Sequence, residues 1–209
     1  MRIGLLGGTF DPIHIGHLGA ASAAADCAGL DRVILVPSAQ PPHRGAAAAS
    51  AEDRLAMCRL AVEGEPLFEV SDIEVRRGGR SYTVDTLREM RARLPGDDLF
   101  LILGWDAAKM LRSWRDPHIV TELATIVVVS RPGTPAPMPE DLDAAGLASD
   151  RVVLCLRATP DVSGSALRQA IARSEPVSGK VPRAVEGYIA AHHLYPDAVG
   201  RRDNRKVES

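Results

Sequence analysis

The chain predicts an α/β fold: one domain with helices on both faces of a doubly wound parallel sheet. Three observations carry that expectation. Short apolar, β-branched runs recur along the chain, each separated from the next by a helix-forming stretch. Leu99-Phe100-Leu101-Ile102-Leu103 and Thr125-Ile126-Val127-Val128-Val129 are continuously apolar, as strands buried on both faces are. The first connection, a glycine turn followed by an alanine-rich stretch, has the form of a βαβ unit with a right-handed crossover.

In order, Arg2-Ile3-Gly4-Leu5-Leu6 is a strand ended by Gly7-Gly8, and the alanine-rich run after His17 has high helix propensity. Arg32-Val33-Ile34-Leu35-Val36-Pro37 is a second buried strand, followed by a proline-rich loop at its carboxyl end, the edge where open α/β sheets bind ligands. Ser50-Ala51-Glu52-Asp53 has the form of a capping box and opens a helix reaching about residue 63. Residues 68–71 and 73–76 alternate apolar and polar and predict half-exposed extended chain. Residues 81–87 start a helix that ends near Leu94-Pro95-Gly96, and the strand 99–103 ends at Gly104-Trp105-Asp106. Short helices around 107–111 and 118–124 precede the strand 125–130. Residues 131–150 carry Pro132, Pro135, Pro137 and Pro139 and predict a loop with room for one short helix. A last strand covers 152–156, a helix about 166–174, and Pro182 opens a final helix to His193. The domain spans 1–196, and the polar residues 197–209 predict a disordered tail.

With 209 residues, 45% hydrophobic and 25% charged, the chain has the composition of a soluble domain able to bury a core. A net charge of −2 offers no electrostatic ground for nucleic acid or an anionic membrane as partner. No apolar run approaches a bilayer-spanning length and no signal peptide precedes the first strand, so the expected location is the cytoplasm. Cys27, Cys58 and Cys155 predict reduced core cysteines. Homo-oligomerisation is left open.

The chemistry concentrates in Gly7-Gly8-Thr9-Phe10-Asp11-Pro12-Ile13-His14-Ile15-Gly16-His17. A glycine turn lets backbone N–H groups approach a phosphate, and a helix N-terminus favours an anion. His14 and His17, three apart in the first helical turn, face the same way and can donate to phosphate oxygens. Alone, Gly-Gly after a strand is usually a turn, and a histidine pair at this spacing also suits a helical metal site, although no third ligand stands nearby. Gly-x-Gly-x-x-Gly and Walker A loops are absent. Pro41-Pro42-His43-Arg44 is a rigid loop presenting two hydrogen-bonding groups, or else a solvated one. Ser163-Gly164-Ser165 and Arg168 place hydroxyls and a guanidinium at a helix start, a second anion cradle. Trp114 offers an indole for stacking on an electron-poor ring, or is simply core.

Taken together, Gly7 to Leu18 resembles the His-x-Gly-His signature of the nucleotidyltransferase superfamily, and in particular the bacterial nicotinate-nucleotide adenylyltransferases. The same letters occur in class I aminoacyl-tRNA synthetases, so the substrate is read from the rest of the chain. Further segments are similar to that family in order: Pro41-Pro42-His43-Arg44, Ser81-Tyr82-Thr83 with Thr86-Leu87, Gly104-x-Asp106, Trp114, Arg131-Pro132-Gly133 and Val162 to Arg168.

The resemblance implies a Rossmann-like fold and adenylyl transfer from ATP to nicotinate mononucleotide, giving deamido-NAD and pyrophosphate without a covalent intermediate. It implies catalytic roles for His14, His17 and Arg168. ATP and its phosphates would meet Gly7, Gly8, Thr9, Phe10, Gly104, Asp106, Arg131, Ser163 and Ser165. The nicotinate nucleotide would meet His43, Arg44, Thr83, Thr86 and Trp114. Mg²⁺ would arrive on ATP, with no dedicated metal ligands. Two departures stand out: Gly164 replaces a usual serine, and Arg115 stands where relatives often carry an aromatic residue. The rival readings are another adenylyltransferase, such as one acting on phosphopantetheine, and a non-catalytic nucleotide-binding module.

Overall fold

The computed structural model describes residues 1–41, 46–130, 137–147 and 149–196. Six strands form one all-parallel sheet: β1 (Arg2–Gly8), β2 (Arg32–Pro37), β3 (Phe68–Val70), β4 (Asp98–Gly104), β5 (Thr125–Val129) and β6 (Val152–Cys155). The strand order is β3-β2-β1-β4-β5-β6. Chain progression therefore reverses between β1 and β4, and the carboxyl ends of those strands open a crevice of the kind that binds ligands.

The continuous apolar strands are explained by two cores, one on each face. Successive residues of one strand go to opposite sides, as the period of two demands: Ile3 and Leu5 pack with the residues of one core, Leu6 with the other. The first core lies under α1 (Ile15–Ala28), α2 (Ala51–Ala61), α8 (Gly164–Ala172) and α9 (Arg183–Ala191). The second lies under α3 (Ile73–Arg77), α4 (Thr83–Arg93), α5 (Trp105–Ala108), α6 (Pro117–Leu123) and α7 (Pro139–Ala145). The alanines of α1 explain how a helix sits close to the sheet centre: Ala21, Ala24, Ala25 and Ala28 are all buried. Ser50 caps α2, its hydroxyl accepting from the Asp53 N–H at 3.0 Å, as the sequence predicts.

Two expectations are corrected. Residues 73–77 form the helix α3 and not extended chain. Ile73 and Glu74 are both buried, and Arg76 pairs with Asp72 one turn back at 2.9 Å. Five residues are too few for periodicity to separate the two alternatives. Second, Cys27 and Cys155 form a disulfide with Cα atoms 5.7 Å apart, across 128 residues of sequence. Their pairing comes from α1 packing against β6, a contact invisible in their spacing. Cys58 is free and buried, as expected, and burial raises its thiol pKa. The region after β5 does carry one short helix, α7, and a 3₁₀ turn at Ser149–Arg151. The expected tail, 197–209, lies outside the described residues. Among the described residues no helix is long and apolar enough to cross a membrane.

Candidate active site

The turn after β1 carries its side chains into a tightly tied corner. Phe10, with φ of 49°, is 1% exposed, and its ring meets His17 edge-on at 5.0 Å between centroids. Phe10 thus supports the turn from beneath with its side chain. His14 is the N-cap of α1 and is buried, and its ring stacks on His17 with centroids 3.7 Å apart and planes 23° apart. The His14 N–H donates to His17 Nδ1 at 3.3 Å. A neutral His17 therefore carries its proton on Nε2, the ring nitrogen suited to donate to an oxyanion. The Ile15 N–H is occupied by the Lys180 carbonyl at 3.0 Å, so the imidazoles are the more prominent donors at this helix end.

The second anion cradle converges on the first. Ser163 caps α8, and its hydroxyl lies 2.9 Å from that of Ser165. Arg168, one turn in, donates to the Asp11 carbonyl at 2.7 Å, with the Asp11 carboxylate at 3.8 Å. A Cβ added at Gly164 would stand 3.4 Å from the Asp11 carbonyl and 3.9 Å from His14 Nε2. These are ordinary contacts, so the glycine is a tolerated departure and not a steric demand. Gly19 is a demand: a Cβ there would come within 2.4 Å of Pro160, so its absence lets the segment before α8 lie against α1.

Asp11 is the hub of this corner, a role its place within the motif did not reveal. Its carboxylate accepts from the Ala48 and Ala49 N–H groups at 2.8 and 3.1 Å and from the Tyr195 hydroxyl at 2.8 Å. Burial, followed by the negative charge of Asp11, raises the Tyr195 pKa, so the phenol stays a donor. Arg54 and Tyr195 also escaped sequence reasoning. An arginine among the charged residues of α2 and a tyrosine after α9 carry no motif, and each shows its role only through distant partners.

Across the crevice, Gly104 caps α5 and Asp106 stands exposed, with Lys109 at 2.9 Å. Thr83 is the first residue of α4. Thr86 is buried, and its hydroxyl donates to Glu74 at 2.5 Å while accepting from Arg77 at 2.9 Å. Its hydroxyl thus braces α3 against α4. Burial raises the Glu74 pKa, opposed by the Thr86 and Ser81 hydroxyls. Trp114 is half-buried and packs with Tyr82 and Trp105 against the second core. Arg115 lies over the Tyr82 ring at 5.0 Å and pairs with Asp85 at 3.2 Å. Gly7 and Gly8, expected as a turn, are instead the last residues of β1, paired in register with Val36 and Pro37 of β2, because the strand runs on past its apolar residues; Thr9 lies just beyond them. His43, Arg44 and Arg131 lie outside the described residues. Among the described residues no group of three or more His, Cys, Asp and Glu is placed to hold a metal ion.

A cytidylyltransferase-like family profile matches residues 5–170. A probable nicotinate-nucleotide adenylyltransferase of Thermus thermophilus is 46% identical over 198 residues, covering 93% of this chain and 100% of the relative. Another, from Citrifermentans bemidjiense, is 41% identical over 215 residues, covering 95% and 100%. Among solved structures, a Plasmodium falciparum nicotinic acid mononucleotide adenylyltransferase complexed with NaAD superposes with a TM-score of 0.75 at 16% identity, covering 93% of this chain and 97% of that one. That likeness establishes the fold.

Proposed function

The chain belongs to the nicotinate-nucleotide adenylyltransferases of the cytidylyltransferase-like family, and on that premise we propose how its own residues carry out adenylyl transfer from ATP to nicotinate mononucleotide in NAD biosynthesis. The 5′-phosphate oxygen of the mononucleotide attacks the α-phosphorus of ATP in line. The bond from that phosphorus to the pyrophosphate oxygen breaks as the new one forms, releasing deamido-NAD and pyrophosphate. Positioning and charge stabilisation suffice, so no covalent intermediate is formed.

The observation that carries this reading is the approach of α8 to the histidine pair: Arg168 donates to the Asp11 carbonyl, and Gly164 stands beside both that carbonyl and His14 Nε2. His14, His17 and Arg168 would meet the charge that develops on the bridging oxygen and the departing pyrophosphate. Gly7 and Gly8 at the end of β1, Thr9 just beyond them, Phe10, Ser163 and Ser165 would hold the phosphates, with Gly104 and Asp106 along the nucleotide. Thr83 and Trp114 would hold the pyridine nucleotide, Trp114 by stacking, with His43 and Arg44 on the preceding loop and Thr86 acting through α3. Arg131 would reach the ATP phosphates. ATP arrives as its Mg²⁺ complex, which is the substrate itself. The reaction is placed in the cytoplasm, with small-molecule partners and no nucleic acid.

Pyrophosphate release with Mg-ATP tests the reading, using nicotinate mononucleotide, nicotinamide mononucleotide and phosphopantetheine in parallel. Rapid turnover with the nicotinate compound supports it. Turnover with phosphopantetheine would keep the histidines and discard the pyridine pocket, and silence with all three would leave a binding module.

A further inference from the structure

Arg54 is 1% exposed, and the nearby charge of Asp11 opposes the cost of burying it. It sits in the first turns of α2, and each part of its guanidinium donates to a backbone carbonyl. Nη1 reaches Thr9 at 2.7 Å, Nη2 reaches Ala39 at 3.0 Å and Nε reaches Ala49 at 3.4 Å. Burying a guanidinium is costly, and burial lowers the Arg54 pKa. Those three acceptors belong to the phosphate turn after β1, the loop after β2 and the segment before α2.

Ala39 is held through its N–H as well as its carbonyl. Its N–H donates to the Ser81 hydroxyl at 2.9 Å, and the Ser81 N–H donates to the Gln40 carbonyl at 2.9 Å. Ser81 leads directly into Tyr82 and Thr83 at the start of α4. A continuous path thus runs from the phosphate turn through Arg54 and residues 39–40 to the segment assigned above to the second substrate.

We propose that Arg54 is a positioning residue for adenylyl transfer: through Thr9 and Ala39 it sets the separation between the two substrate-binding segments while touching neither substrate. The idea rests on the reaction proposed above. In-line displacement depends on the attacking oxygen and the α-phosphorus being held in near-attack geometry, and a misplacement of about 1 Å costs roughly 100-fold. A planar fork spanning three carbonyls fixes such a distance, and a lysine ammonium, a single flexible point charge, does not.

The test compares Arg54→Lys and Ser81→Ala with Leu99→Ala, a core change at the opposite end of the sheet that reports on lost stability alone. Wild-type protein is first assayed with the three acceptors above, and whichever turns over is used throughout. An error in the substrate reading thus shows in the wild type, and an error about Arg54 shows in the variants. Assays run well below each variant's Tm, per mole of folded protein. Arg54→Lys is expected to lower kcat about 30- to 100-fold, with KM for both substrates within about 3-fold. Ser81→Ala is expected to lower kcat in the same manner by less. Leu99→Ala should lower Tm and leave kcat unchanged. If Arg54→Lys does not fold, Ser81→Ala carries the test alone, since it loosens the same residue, Ala39, through its N–H. Wild-type kcat in folded Arg54→Lys, or in Ser81→Ala when it stands alone, would overturn the proposal. So would a kcat loss in Leu99→Ala matching that of Arg54→Lys, or silence of the wild type with every acceptor.

Discussion

The two sides of the crevice are built by different physics. The β1 side is assembled from buried and part-buried hydrogen bonds: Asp11 with Ala48, Ala49 and Tyr195, Arg54 with three carbonyls, and Arg168 with the Asp11 carbonyl. The far side is held at its rim by charges in water, where Arg115 and Arg88 face Asp85 and Asp116 at 3.2 to 4.0 Å, all partly exposed. Buried polar bonds are strict about geometry, because a broken partner is left desolvated, whereas surface ion pairs are worth about 0–1 kcal/mol each. The contrast suits the chemistry. Phosphoryl transfer needs fixed donors around a small reacting centre, and a flat ring needs little more than a face to lie on.

Four changes break or sharpen that contrast. The largest effect is expected from His17→Ala, which removes the donor proposed above to meet the developing charge. Steady-state assay should show kcat lowered about 100-fold or more, with KM and Tm little altered. Next, Tyr195→Phe deletes the hydroxyl that bonds the Asp11 carboxylate, and denaturant unfolding should show a loss of about 1.5–3 kcal/mol for a bond to a charged group. Trp114→Ala on the far side should raise KM for nicotinate mononucleotide by roughly 2- to 10-fold, matching a stacking contribution of about 0.5–1.5 kcal/mol, with KM for ATP unmoved. Smallest of all, Arg115→Ala should change stability by less than about 0.5 kcal/mol, and that difference should vanish in 0.5 M salt. A large effect from Arg115→Ala with a negligible one from Tyr195→Phe would invert the comparison.

The same contrast sorts what was legible in the sequence. Strands with unbroken apolar runs showed themselves, because burial on both faces leaves a composition signature. β2 spans Arg32–Pro37 as expected, and Ser50 caps α2 as expected. The histidine pair was legible because the spacing of three holds at a helix start too, where the N-cap, here His14, faces the third helical residue, His17. Arg54 was not legible: its partners are 45, 15 and 5 residues away, and nothing local distinguishes it from a solvated arginine. Thr86 is expected from the sequence at the nicotinate nucleotide; its hydroxyl faces Glu74 and Arg77, since the rotation of a helix start decides which groups meet. α3 and the Cys27–Cys155 pair were misread for two distinct reasons, one too short for a period and one joined only by tertiary packing.

The bond between Tyr195 and Asp11 spans 184 positions. A chain emerges from the ribosome at about 5–20 residues per second, so Asp11 waits roughly 10–40 s for that partner after its own synthesis. During that interval residues 1–28 have been made, but the Asp11 carboxylate lacks its phenol donor. The corner around Asp11 is therefore fully tied only after the segment that follows α9 has been synthesised, which makes its closure a late event on the ribosome.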